Sequence, residues 1–87
     1  MQEDITEIMN IAQEECAEVI QAISKVKRFG LTSVHNGRSN QAHLEEEIGD
    51  LLCMIELLIE RDIVDEAFIH EAARRKRFKL QEWSNIK

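Results

Sequence analysis

Residues 44–59, LEEEIGDLLCMIELLI, decide the fold. Leu44, Ile48, Leu51, Leu52, Met54, Ile55, Leu58 and Ile59 recur at spacings of three and four, the period of an α-helix. Cys53 and Leu57 extend that face, so the helix is apolar on more than one side and reads as the central element of an all-α fold. The spacing predicts a helix from about Gln41 to Glu60, capped by Ser39 or Asn40 and opening on acidic residues that suit a helix amino terminus. Within it, Glu47 projects at nearly the angle of Leu51, Met54 and Leu58, and Asp50 falls between Met54 and Leu57. A carboxylate set among Leu and Met must be paired, protonated or metal-bound, because burying an isolated charge costs too much.

A second helix is expected upstream, from about Asp4 to Arg28, with Ile5, Ile8, Met9, Ala12, Cys16, Val19, Ile20, Ile23 and Val26 on its apolar side. At about 100° per residue, Ile8, Ile11, Glu15, Glu18 and Ala22 form one row along the edge of that face. Lys25, Lys27 and Arg28 complement the dipole at its end, and Gly30 stops it. Two carboxylate pairs, Glu15 with Glu18 and Glu47 with Asp50, can therefore converge from facing helices. Hard divalent cations take oxygen ligands, and Mg²⁺ binds through a few carboxylates, waters and substrate phosphates. Without a cation the four would repel, and at least one would be pushed towards holding a proton. Lys25 and Arg28, with Lys76 and Arg77 further on, are candidates to hold a phosphate chain by charge-assisted hydrogen bonds.

The 31–40 connector is polar, carries the turn signal Asn36-Gly37, and has room for a short extra helix. Arg61 to Val64 reads as a turn and Asp65 as a cap. Glu66 to about Trp83 forms a third helix, with Ala67, Phe68, Ala72, Ala73, Leu80 and Trp83 on its apolar side. Its second half is basic: Arg74, Arg75, Lys76, Arg77 and Lys79. Residues 1–87 read as a single domain, an antiparallel bundle of three main helices. A chain this short buries little of its own surface, so oligomerisation is expected to complete the core.

With 17 acidic against 11 basic residues the net charge is −6, which works against general binding to nucleic acid or anionic membrane. Cys16 and Cys53 show no CxxC or Cys/His spacing and read as reduced, buried thiols of a cytoplasmic protein. No apolar stretch approaches the roughly twenty residues of a membrane span. His35, His43 and His70 do not supply the Glu-x-x-His pairs of di-iron carboxylate bundles. His43, at the start of the central helix, is placed to sit near the site, but a surface or capping role is the expectation.

Glu14-Glu15-x-x-Glu18 followed by Glu47-x-x-Asp50, with Gly49 before the Asp, resembles the signature of the MazG-like all-α nucleotide pyrophosphohydrolases. The surrounding text, EECAEVIQAISKVKRFG from residue 14 and HLEEEIGDLLCMIELL from residue 43, is similar to the small single-domain phage and bacterial members, although the spacer between the motifs is long. The resemblance implies hydrolysis of a nucleoside triphosphate to the monophosphate and pyrophosphate. It also implies Mg²⁺, or Mn²⁺ as a substitute, held by Glu15, Glu18, Glu47 and Asp50. Glu14 would support these ligands or help Glu15 orient water, and the assembly would be a homodimer or a dimer of dimers with the site near the subunit interface. The competing expectation is a non-catalytic helical interaction protein whose carboxylates bind a cation or form intersubunit salt bridges. A third is a nucleic-acid accessory protein using the basic final helix.

Overall fold

A computed structural model describes residues 3–86. The chain forms α1 (Glu3–Phe29), a two-residue strand pair β1 (Val34–His35) and β2 (Arg38–Ser39), α2 (Asn40–Glu60) and α3 (Glu66–Trp83). α1 and α2 make an antiparallel hairpin, and nearly all tertiary packing lies between them. At 1.5 Å per residue the 27 residues of α1 span about 40 Å, the long dimension of the whole fold, 41 Å.

Both ends of the hairpin are tied. At one end Arg61 of the α2 cap pairs with Asp4. At the other, the Asn40 side chain donates to the Gly30 carbonyl at 3.0 Å. The Asn40 and Gln41 backbone N–H groups donate to Ser33 and Leu31 at 2.9 and 3.0 Å. Gly30 closes α1 at φ +91°, a left-handed cap that costs a residue with a Cβ.

The connector differs from the short helix for which the sequence left room. Asn36 and Gly37 both take positive φ, 54° and 81°, the pair of values a two-residue hairpin turn requires. They pair Val34 with Ser39 and His35 with Arg38. The opening of α2 differs too. Its first turn, Asn40 to His43, holds no acidic residue, and Glu45–Glu47 come a turn later. Ser39 caps it instead, its Oγ accepting from the Ala42 N–H at 3.0 Å.

Burial within one chain is slight. Among the described residues only Ile8, Ala22 and Met54 are buried apolar side chains. The molecule is 14 Å thick, a single layer of helices, and its radius of gyration is 15.7 Å, against about 12 Å for a closed globule of this length. α2 is therefore not enclosed as its all-round apolar sequence predicts. One side packs on α1, while Ile48 and Leu52 are exposed on the other. Cys16 and Cys53, expected to be buried, are exposed for the same reason. α3 begins at the Asp65 cap, as expected, but packs only sparsely on the rest and exposes Phe68, Phe78 and Trp83. No helix among the described residues is long and apolar enough to cross a membrane.

Removing the α2 cap in Ser39→Ala should lower stability by about 1 kcal/mol, measured by chemical denaturation, with Ser39→Thr recovering most of the loss.

Candidate metal centre

Glu47 is the origin of the site. It is one of two buried polar residues among those described, 9% exposed, on the side of α2 that faces α1 and one row from Met54. Asp50, three residues on, lies at the exposed edge of the same seam. From α1 the half-buried Glu15 meets them. One carboxylate oxygen each from Glu15, Glu47 and Asp50 lies within 4.8 Å of the other two. Ala22, fully buried, lies two turns further along the same row of α1.

Three of the four expected ligands are thus brought together. Glu18 is exposed and its carboxylate lies outside that set, although its charge still acts on Glu15. Partial burial pushes the Glu15 carboxyl above its ordinary value, and the negative charges of Asp50, Glu47, Glu18 and Glu14 push it the same way. Among the described residues no cation is one of the charges acting on it. An oxygen-only set of clustered carboxylates suits a hard divalent cation, and among the described residues neither cysteine nor histidine joins the group.

His43 has a different place from the surface or capping role its sequence position suggests. Its Nε2 lies 3.3 Å from Glu47 Oε1, and the two side chains are only 13% and 11% exposed. The signal was the i,i+4 spacing of His43 and Glu47 on one helix. The contact engages one oxygen of Glu47, and neighbours of this kind orient metal-binding carboxylates.

The expected phosphate-binding residues fall in two groups. Lys25 and Arg28 lie in the last two turns of α1, Lys25 beside a small pocket with Phe29, Ser33, His35 and Asn40, and Arg28 with its guanidinium 5.1 Å from the Phe29 ring centre. Lys76 and Arg77 stay with α3. The Lys76 ammonium lies 4.8 Å from the Trp83 ring centre, and Arg77 borders a groove with Leu80, Gln81 and Ile86.

No curated protein and no solved structure matches the chain. A family model does: the MazG nucleotide pyrophosphohydrolase domain matches residues 3–83, a span that includes both carboxylate motifs and all three helices. Enzymes of this type act on nucleoside triphosphates and generally depend on a divalent cation, and the acidic cluster such a cation would need is present here. The chain belongs to the MazG nucleotide pyrophosphohydrolase family.

Proposed function

We propose that the protein is a Mg²⁺-dependent nucleoside triphosphate pyrophosphohydrolase, releasing the monophosphate and pyrophosphate. The observation that carries this reading is the convergence of Glu15, Glu47 and Asp50 from two helices, with Glu47 buried. Those three hold the cation, and Glu18, one turn along α1 from Glu15, completes the set. Bound there, Mg²⁺ would neutralise the phosphate chain and make a bound water more acidic. Glu15 and its neighbour Glu14 orient the attacking water and take up its proton. His43 holds Glu47 in its binding orientation. Lys25 and Arg28 hold phosphate from the end of α1.

Assembly belongs to the same reading. The accessible surface of the chain is 6973 Å², whereas a compact protein of its mass exposes about 5,300 Å². The surplus, roughly 1,700 Å², is of the order each subunit of an obligate homodimer buries. Ile20, Ile23, Ile48 and Leu52 are exposed on the hairpin, and Phe68, Phe78 and Trp83 on α3. A homodimer, or a dimer of dimers, covers them. In such an assembly Lys76 and Arg77 reach phosphate with their helix docked, and the protein works in the cytoplasm.

The deciding experiment is pyrophosphate release from a panel of nucleoside and deoxynucleoside triphosphates, with Mg²⁺ or EDTA. Mg²⁺-dependent release that Glu47→Gln reduces by at least about 100-fold is expected. A folded protein that binds Mg²⁺ but releases nothing would overturn catalysis and leave a cation-binding interaction protein. His43→Ala should weaken Mg²⁺ binding by about tenfold in calorimetry.

Glu15 also makes stability depend on pH. Its raised pKa means that the folded cation-free protein holds this proton more tightly than the unfolded chain does. Its contribution is fully present below the ordinary carboxylate value and is lost as pH rises through the raised one. At neutral pH, Glu15→Gln should therefore raise the melting temperature of the cation-free protein while reducing the further rise that Mg²⁺ produces. Sedimentation equilibrium should find a dimer or larger, and Leu52→Glu should shift it towards monomer.

A further inference from the structure

Arg38 is the one Lys or Arg of the connector between α1 and α2. Its backbone is held from both sides. The Asn36-Gly37 turn, with both residues at positive φ, brings Arg38 opposite His35 in the strand pair, and the next residue, Ser39, caps α2. From that fixed base the side chain reaches over the first turns of α2, where its Nη1 pairs with the Glu46 carboxylate. A guanidinium carries five N–H donors, so donors remain when Nη1 is engaged, and both side chains of the pair are open to solvent, 41% and 57% exposed.

Helix geometry places this pair beside the acidic cluster. Glu46 stands four residues before Asp50, about one turn away on the same edge of α2. At about 100° per residue, Asp50 is turned about 60° from the inward-facing Glu47 and Glu46 about 100° the same way, whereas Ile48 and Leu52 are turned the opposite way. On α1, Glu18 and Lys25 are turned about 60° and 80° from Glu15, and Ile20 and Ile23 the opposite way. In two antiparallel helices, equal turns away from the facing residues lead to the same side of the layer. One side therefore exposes Ile20, Ile23, Ile48 and Leu52, and the other exposes Glu18, Glu46 and Asp50. The carboxylate seam opens on this second side, and Arg38 is anchored at its mouth, away from the apolar residues that a partner subunit would cover.

We propose that Arg38 is a phosphate-binding residue of this site, held at its mouth by Glu46 and passed from that carboxylate to the phosphate chain of the substrate. The inference rests on the nucleotide reading above and adds a residue that the carboxylate motifs do not contain. A guanidinium matches phosphate in shape as well as charge, because its planar fork donates two parallel hydrogen bonds. Glu46 keeps a long, flexible side chain extended towards the site while no substrate is bound. An ion pair this exposed is weak, whereas a phosphate chain offers more charge and more acceptor oxygens, so the exchange favours the substrate. Arg38 would then supply positive charge from the connector, on the α2 side of the seam, where Lys25 and Arg28 supply it from α1.

The test separates a phosphate contact from a mere tie between the connector and α2. Dissociation constants for inorganic tripolyphosphate in Mg²⁺, and for Mg²⁺ alone, are measured by calorimetry on the native chain, Arg38→Ala, Arg38→Lys and Glu46→Gln, with circular dichroism showing that each is folded. Arg38→Ala and Glu46→Gln both break the ion pair, but only the first removes the cation. The expected result is about tenfold weaker tripolyphosphate binding in Arg38→Ala, a smaller loss in Arg38→Lys, which keeps the charge without the fork, and no loss in Glu46→Gln. Mg²⁺ affinity should not fall in Arg38→Ala, because that variant loses a positive charge. Equal losses in Arg38→Ala and Glu46→Gln, a parallel loss of Mg²⁺ affinity, unchanged binding in Arg38→Ala, or no tripolyphosphate binding by the native chain would each overturn the assignment, even if pyrophosphate release stands. Tripolyphosphate binding that depends on Arg38, without release from any nucleoside triphosphate, would overturn the hydrolase reading and leave Arg38 as a phosphate contact.

Discussion

Mutual repulsion among carboxylates is the constraint on which this structure turns. Glu15, Glu47 and Asp50 are held within 4.8 Å by the packing of α1 on α2, and the charges around Glu15 all act to raise its proton affinity. Such an arrangement costs stability in the free protein and is offset only by a proton or a cation. The hairpin tolerates it because its ends are tied independently, by Arg61 with Asp4 at one end and by Asn40 with Gly30 at the other. Between those ties lie the fully buried Ala22 and the contact of His43 with the buried Glu47. The electrostatic cost is localised where a divalent cation would remove it.

The layer that carries the site is incomplete as a hydrophobic core. A fold 14 Å thick has no interior of its own, and its few buried apolar residues could not by themselves offset the entropy of ordering 87 residues. Ile48 and Leu52 face away from α1, and α3 carries its aromatic residues to solvent with Arg75 and Lys76 against their rings. Covering those faces would also change the surroundings of the acidic cluster, because Ile48 lies between Glu47 and Asp50 in the chain.

Much of the fold was legible in the residues. Apolar spacings of three and four placed all three helices, Ser39 and Asp65 were readable as caps, and Gly30 as a stop. The carboxylate pairs were legible too, since a three-residue spacing puts both members on one side of a helix. The connector was harder, because polar residues with one Asn-Gly signal suit either a turn between strands or a short helix. Only the pairing of Val34 with Ser39 decides between them. His43 was visible as an i,i+4 neighbour of Glu47, but spacing on one helix does not say whether a second helix will bury the pair.

By itself, then, the sequence determined the helices, their apolar sides and the carboxylate motifs, because these depend on the period of the helix and on local capping chemistry. Tertiary structure decided which of the four acids meet, leaving Glu18 outside the close set. It set the half-buried His43 against Glu47, exposed Cys16 and Cys53, and built the pocket between Phe29 and Asn40. Those outcomes depend on the axial register and separation of α1 and α2, which follow from the packing of the two helices and the Gly30–Asn40 tie, contacts distant in the chain. Periodicity along one helix carries no information about them.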